Sequence, residues 1–250
     1  MKLHQSSHVH DKALLTRKSR LVFHRIRAVG AAGVAAALLL PGSAVPGVAP
    51  TVVSLPIETG RLYQAPLRTA IDGLVVSDEV NEGYDRDRYF GSWTDTDGDC
   101  QNTRQEVLAD EATGTLSDLL GGCEVSTGRW ITSWDNRVHT SASGLQIDHT
   151  VPVHEAWGSG ARYWTQSRRV AYYNDLGDPR TLNAQTAALN VDKNGQSPQN
   201  WMPPANRCAY IEGWVAVKIR WGLTVNSGEK ATLVHYANSC QDVPITVIRV

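Results

Sequence analysis

The segment Leu145-Gln146-Ile147-Asp148-His149-Thr150-Val151-Pro152 holds the most suggestive pair of reactive side chains in the chain. Apolar and polar residues alternate toward an adjacent Asp and His, and Pro152 must end or edge the strand because it has no amide hydrogen for a ladder. An imidazole beside a carboxylate titrates near neutrality and can take a proton from water. Successive strand side chains point to opposite faces, so Asp148 and His149 serve one ligand only where the strand end twists or bulges. Taken alone, the dipeptide reads more readily as an ordinary Asp-His pair at a strand end. Further along, Asn190 and Lys193 precede Asn194-Gly195. A carboxamide there can cap a helix, offer its carbonyl to a cation, or do both, while Lys193 by itself is a solvated charge. Asp95, Asp97, Asp99 and Glu106 take positions 1, 3, 5 and 12 of a calcium-loop template, although Cys100 stands where the template wants Gly.

The elements that must position these residues read as short strands among helices. Ala65–Leu74 suits a short helix, Thr103–Ala112 a longer one, and Leu116–Leu120 a further turn ending at Gly121-Gly122. Arg129–Thr132 and Leu145–Val153 are β-prone and read as two strands joined by a polar loop, Ser133–Gly144. Glu155–Asn174 is helix-compatible despite Gly158 and Gly160. In Ala209–Trp221 the apolar residues Tyr210, Trp214, Val217 and Trp221 recur on one helical face, and Gly222 closes the helix. Arg162, Arg168 and Arg169, with Lys218 and Arg220, are either two solvated faces or a local basic track. Most of the eight Trp suit a core, with Trp93 and Trp134 less clear. One α+β domain is the simplest architecture.

Residues 1–49 hold seven of the 24 Lys and Arg but one of the 25 acids, so the rest of the chain carries an excess of seven negative charges. That excludes a generally basic nucleic-acid coat. The basic stretch precedes a 13-residue apolar run, Ala28–Leu40, then Pro41, Gly42 and small residues. The run is short for a membrane span, which needs ~20 residues, and suits the core of an export signal. A secreted protein is therefore expected, with a leader over 1–49, a linker over 50–61, a domain over 62–243 and a tail over 244–250. Export makes the four cysteines a disulfide framework. Of three pairings, Cys100–Cys123 with Cys208–Cys240 closes compact local loops.

The ordered set Asp148-His149-x-x-Pro152, a spacer, then Asn190-x-x-Lys193 before Gly195, resembles the HNH endonucleases of the His-Me finger class. The flanks resemble a secreted bacterial branch: Glu155-Ala156-Trp157, Gly160-Ala161, Asn174-Asp175-Leu176, Trp201-x-Pro203-Pro204 and Trp214-Val215-Ala216-Val217-Lys218, with Tyr84-Asp85-Arg86 and Thr103-Arg104-x-Glu106 upstream. The similarity spans roughly residues 60–240. It implies a ββα-metal core, two short strands and a helix around one divalent ion, embedded in a single, mostly helical, disulfide-stapled α+β domain. In the roles it carries over, His149 is the general base, Asp148 and Asn190 bind the metal, and Lys193 contacts phosphate. Arg104 grips phosphate or belongs to a helix ion pair with Glu106. The oxygen ligands imply Mg²⁺ or Mn²⁺ ahead of Ca²⁺. The resemblance implies a nucleic acid partner, DNA ahead of RNA, cut with little sequence preference, and a monomer without stable membrane association after leader cleavage is expected. Three positions depart from the pattern. Thr181 stands for the middle Asn, with Asn183 nearby; Lys193-Asn194-Gly195 stands for Lys-Gly-Asp; and Ser197 stands for an acid. These departures favour a second expectation, a non-catalytic secreted scaffold that binds nucleic acid, cell wall or a partner.

Overall fold

A computed structural model of the chain describes residues 59–116, 118–120 and 122–250, and the leader expected over 1–49 and the linker as far as 58 lie outside them. The described residues form a mixed α+β fold with three small antiparallel sheets, eight α-helices and two disulfides. Its first strand, β1 (Leu62–Pro66), leads into helix α1 (Leu67–Asp72) and pairs with the chain's last strand in the register Leu62↔Ile248 to Pro66↔Pro244. The segment expected as a tail is thus that strand over Pro244–Ile248. Its period-two pattern sends Ile245 and Val247 into the core, and β1 supplies the ladder.

Helix α2 (Arg86–Tyr89) is followed by α3 (Thr103–Asp110), which is capped by the Asn102 side chain. The turn expected over Leu116–Leu120 is instead a strand, β2 (Asp118–Leu120), paired with β3 (Glu124–Ile131). β3 pairs in turn with β4 (Val138–Ser141), because Asn136, at φ +56°, turns the chain inside the segment read as one polar loop. The strand over Arg129–Thr132 is therefore the end of β3, and its neighbour is β4, not the Asp-His strand. That strand, β5 (Leu145–His149), has a different partner, β6 (Leu182–Thr186). Leu145 and Ile147 of β5, with Leu182 and Ala184 of β6, pack on Val107, Leu108 and Trp130 in a small core of their own.

The helix expected over Glu155–Asn174 is broken into α4 (Val153–Gly158), a 3-10 turn and α5 (Gln166–Tyr173). Gly160 at φ +125° interrupts it, and Thr165 caps the new start by accepting from the Arg168 amide. β6 runs directly into α6 (Ala187–Lys193). The longest helix, α7 (Arg207–Trp221), ends at Gly222, φ +65°, as its sequence implies. It is buried nearly all round, not on one face. α8 (Ser227–Ala237) begins with a capping box of Asn226 and Glu229, and the final strand is β7 (Pro244–Ile248).

The proposed basic track does not exist as a solvated surface. Lys218 is fully buried and donates to Glu155 Oε1 (2.6 Å) and Ser159 Oγ (2.7 Å), with Glu229 Oε1 at 3.1 Å. Arg220 forks onto Asp175 at 2.7 and 2.8 Å. Arg169, Arg168 and Arg162 donate to backbone carbonyls of Ala161, Val250 and Val80. A helix enclosed on every side can carry cations only where they are paired, and these are. The disulfides join Cys100 to Cys123 and Cys208 to Cys240, as their spacing implies. No helix among the described residues is long and apolar enough to cross a membrane.

Candidate active site

An open cleft of about 870 Å³ lies where β5 ends, walled by α4, α6 with the turn after it, and the Tyr84–Arg86 segment. The ladder of β5 runs to His149↔Leu182 and continues through the Thr150 amide to the Thr181 carbonyl (3.0 Å) before Pro152 turns the chain into α4. At this strand end Asp148 and His149 both line the cleft, and so does Asn190 from the middle of α6.

His149 is 5 % exposed, and its Nε2 lies 2.9 Å from the Tyr173 carbonyl oxygen. A carbonyl only accepts, so Nε2 carries the hydrogen and Nδ1 keeps the lone pair. Trp93 stacks on the imidazole at 5.4 Å, with Tyr172 at 5.8 Å, and together they fix the ring plane. Burial pushes the imidazole down to about 3, against the Tyr173 hydrogen bond and helped by the charges of Arg86 and Lys193. The ring is therefore neutral at rest. Thr181 and Asn183 do not orient it: Thr181 donates to Asp175 Oδ2 (3.1 Å) and Asn183 to Thr150 Oγ1 (2.7 Å). A main-chain carbonyl does that work, and a residue pattern cannot name one.

Lys193 departs most from its expected role. It is fully buried, donates to Asp148 Oδ2 (2.6 Å) and the His149 carbonyl (2.7 Å), and sits 4.7 Å from the centre of the Trp134 ring. It does not line the cleft, so it holds the strand end and does not meet phosphate. Burial raises Asp148 to about 6 despite the ammonium beside it, and lowers Lys193 despite the carboxylate. Arg104 is likewise outside the cleft. Its guanidinium donates to the carbonyls of Leu145 (3.2 Å) and Ala142 (3.4 Å) and so anchors the start of β5. At the other end of α3, Glu111 accepts from the Ala184 amide of β6 with both oxygens at 3.1 Å.

Asp148 Oδ1 has no hydrogen-bond partner among the described residues, and Asn190 uses its amide nitrogen on Gln146 Oε1 (2.9 Å), which leaves its carbonyl oxygen. Both are hard oxygens of the kind that Mg²⁺, Mn²⁺ or Ca²⁺ take as ligands. Asp95, Asp97 and Asp99 also come within mutual reach, but Glu106 is not in that group. The Asp95 carboxylate accepts from the Gly98 and Cys100 amides, and Cys100 itself takes φ +74°. Glu79, Glu155 and Glu229 form a second acidic group, with Lys218 already between the last two. Glu155 lines the cleft but is already paired with Lys218.

The residue pattern also missed several cleft residues. Arg86 is the sole Lys or Arg among those lining the cleft, and its Nη2 donates to the Tyr173 hydroxyl at 2.6 Å. Its signal was the Tyr84-Asp85-Arg86 triplet. Tyr84, pushed up to about 12 by burial, and His154 also face the cleft.

No protein-family model matches the chain, and no solved structure does. The chain is 36 % identical over 200 residues to an uncharacterized secreted protein of Arthroderma benhamiae, an alignment covering 79 % of this chain and 93 % of that protein. The two disulfides suit the oxidising conditions outside the cell. The protein is secreted, and it belongs to the same family as that fungal secreted protein.

Proposed function

We propose that this protein is a divalent-metal-dependent endonuclease of the HNH kind, hydrolysing phosphodiester bonds of nucleic acid, DNA ahead of RNA, with little sequence preference. The reading rests on one observation. Asp148 and His149 at the end of β5 and Asn190 of α6 line one open cleft, and the succession β5, its partner β6 and α6 supports the strand-strand-helix order that the resemblance implies. His149 presents its Nδ1 lone pair to a water, takes a proton from it, and the water oxygen attacks phosphorus. The negative charge of a bound phosphate raises the basicity of an imidazole that is neutral at rest. Asp148 and Asn190 would hold the ion, which when bound neutralises charge on the phosphate and the leaving oxygen. Arg86 meets the non-bridging oxygens. Tyr173 serves both groups, orienting the base with its carbonyl and Arg86 with its hydroxyl.

The test is plasmid nicking by the purified, disulfide-bonded protein with and without Mg²⁺ or Mn²⁺, beside His149→Ala. Metal-dependent nicking that His149→Ala abolishes supports the reading. No nicking with Mg²⁺, Mn²⁺ or Ca²⁺ overturns it. A second reading, a binding scaffold without turnover, is favoured by the ammonium of Lys193 on Asp148 and by Gly195 and Ser197 at acid positions. It predicts retained binding to an oligonucleotide without cutting.

A further inference from the structure

We infer that His154 is a second reacting imidazole of the cleft, the general acid that protonates the oxygen leaving phosphorus. The inference rests on the nuclease reading above. His154 belongs to the first turn of α4, just past the Pro152 bend, and lines the same cleft as His149. Its ring packs at right angles to Tyr84, centroids 4.9 Å apart at 88°. Neither nitrogen has a hydrogen-bond partner among the described residues.

Gly195 supplies the second observation. A Cβ there would lie 3.1 Å from His154 Cβ and 3.3 Å from both Cγ and Nδ1. A side chain at position 195 would therefore press on His154, which would have to give by a few tenths of an ångström. Glycine at position 195 thus lets His154 pack closely against the turn after α6, within the cleft that both residues line.

The chemistry balances. The water oxygen bonds to phosphorus and gives its proton to His149 Nδ1, the bond from phosphorus to the leaving oxygen breaks, and the His154 imidazolium passes its proton to that oxygen. One imidazole ends protonated and the other neutral, and proton exchange with solvent restores both. Without the acid the leaving group departs as an alkoxide, which is the step the substitution penalises.

The test compares two oligonucleotides in Mg²⁺ or Mn²⁺, one all-oxygen and one with sulfur replacing the leaving oxygen at a single linkage. A thiolate leaves without protonation because thiols ionise at about 8.5. His154→Ala is expected to slow the all-oxygen cut by ~10²–10⁴-fold and the sulfur cut by less than about threefold. Gly195→Ala, which crowds the imidazole, gives the same pattern at smaller size. Retained cutting of the sulfur substrate also shows that each variant is folded. The proposal is overturned by equal losses on both substrates, by an undiminished all-oxygen rate, or by a weakened Mn²⁺ titration that makes His154 a ligand. If the unsubstituted protein cuts neither oligonucleotide, the nuclease reading itself fails.

Discussion

Lys193→Met leaves the Asp148 carboxylate enclosed with its counter-charge removed. Lys193 is 0 % and Asp148 6 % exposed, and their contact of 2.6 Å is joined by the 2.7 Å bond to the His149 carbonyl. Removing one partner of such a buried pair costs about 3–5 kcal/mol, because the remaining charge keeps its desolvation penalty and loses its compensation. Met has nearly the same length and fills the space against Trp134, so little of the loss comes from a cavity. Against a typical total stability of about 5–15 kcal/mol, that is a large fraction. The measurement is urea unfolding with disulfides intact and a chelator present, for Lys193→Met, Asp148→Asn and the double variant. The double variant is expected to be more stable than the sum of the single losses by about 2–3 kcal/mol, since it leaves no orphan charge. A lysine presented to substrate phosphate would be solvated in the free protein, and its replacement would move stability by about 0.5 kcal/mol or less. A Lys193→Met loss below about 1 kcal/mol would falsify the buried-pair assignment.

Glu111, lifted to about 7 from 4.5 chiefly by burial, binds a proton in the folded state at pH values where the unfolded chain has lost it. Stability from this group is therefore present below about 4.5 and lost as pH rises through about 7, at most ~3 kcal/mol. Glu111→Gln, which keeps an acceptor for the Ala184 amide, should stabilise the protein at pH 8 and leave it unchanged at pH 4.5, as read by urea midpoints. Arg86→Ala should weaken oligonucleotide binding about tenfold or more and flatten the salt dependence by about one phosphate contact, with an unfolding midpoint close to the parent. Replacing Cys208 and Cys240 by Ser opens a loop closed across 32 residues and should cost ~3–4 kcal/mol, again read by unfolding. A loss in Lys218→Met as large as that of Lys193→Met is expected on the same assay, because Glu155 and Glu229 then face one another with no cation between them.

Features that depend on local order were legible in the chain. Pro152 stops the expected Leu145–Val153 strand, which ends earlier, at His149, and gives way to α4 from Val153; Gly222 ends α7 because it accepts a left-handed φ, and the cysteine spacing points to the observed disulfides. Features that depend on distant partners were not. β6 lacks the β-branched run that marks a strand, and its identity comes from pairing with β5. Lys193, Lys218 and Arg220 read as solvated because a sequence states a charge and not its depth, and the partners Asp148, Glu155 and Asp175 lie 45, 63 and 45 residues away, with Glu229 a second partner of Lys218 at 11. The tautomer of His149 is set by a carbonyl 24 residues on, which any residue at position 173 would carry.

This difference has a chemical consequence for the candidate site. Once the buried cations are assigned to Asp148, Glu155, Glu229 and Asp175, Arg86 is the one Lys or Arg among the described residues that lines the cleft, on a chain whose body is net acidic. A nuclease built this way has little fixed positive charge with which to meet a phosphate. On that reading the rest comes from a bound divalent ion and from the other polar groups that line the cleft. On the nuclease reading, His154, which lines the cleft beside Gly195, therefore carries more weight than Lys193, which is buried on Asp148.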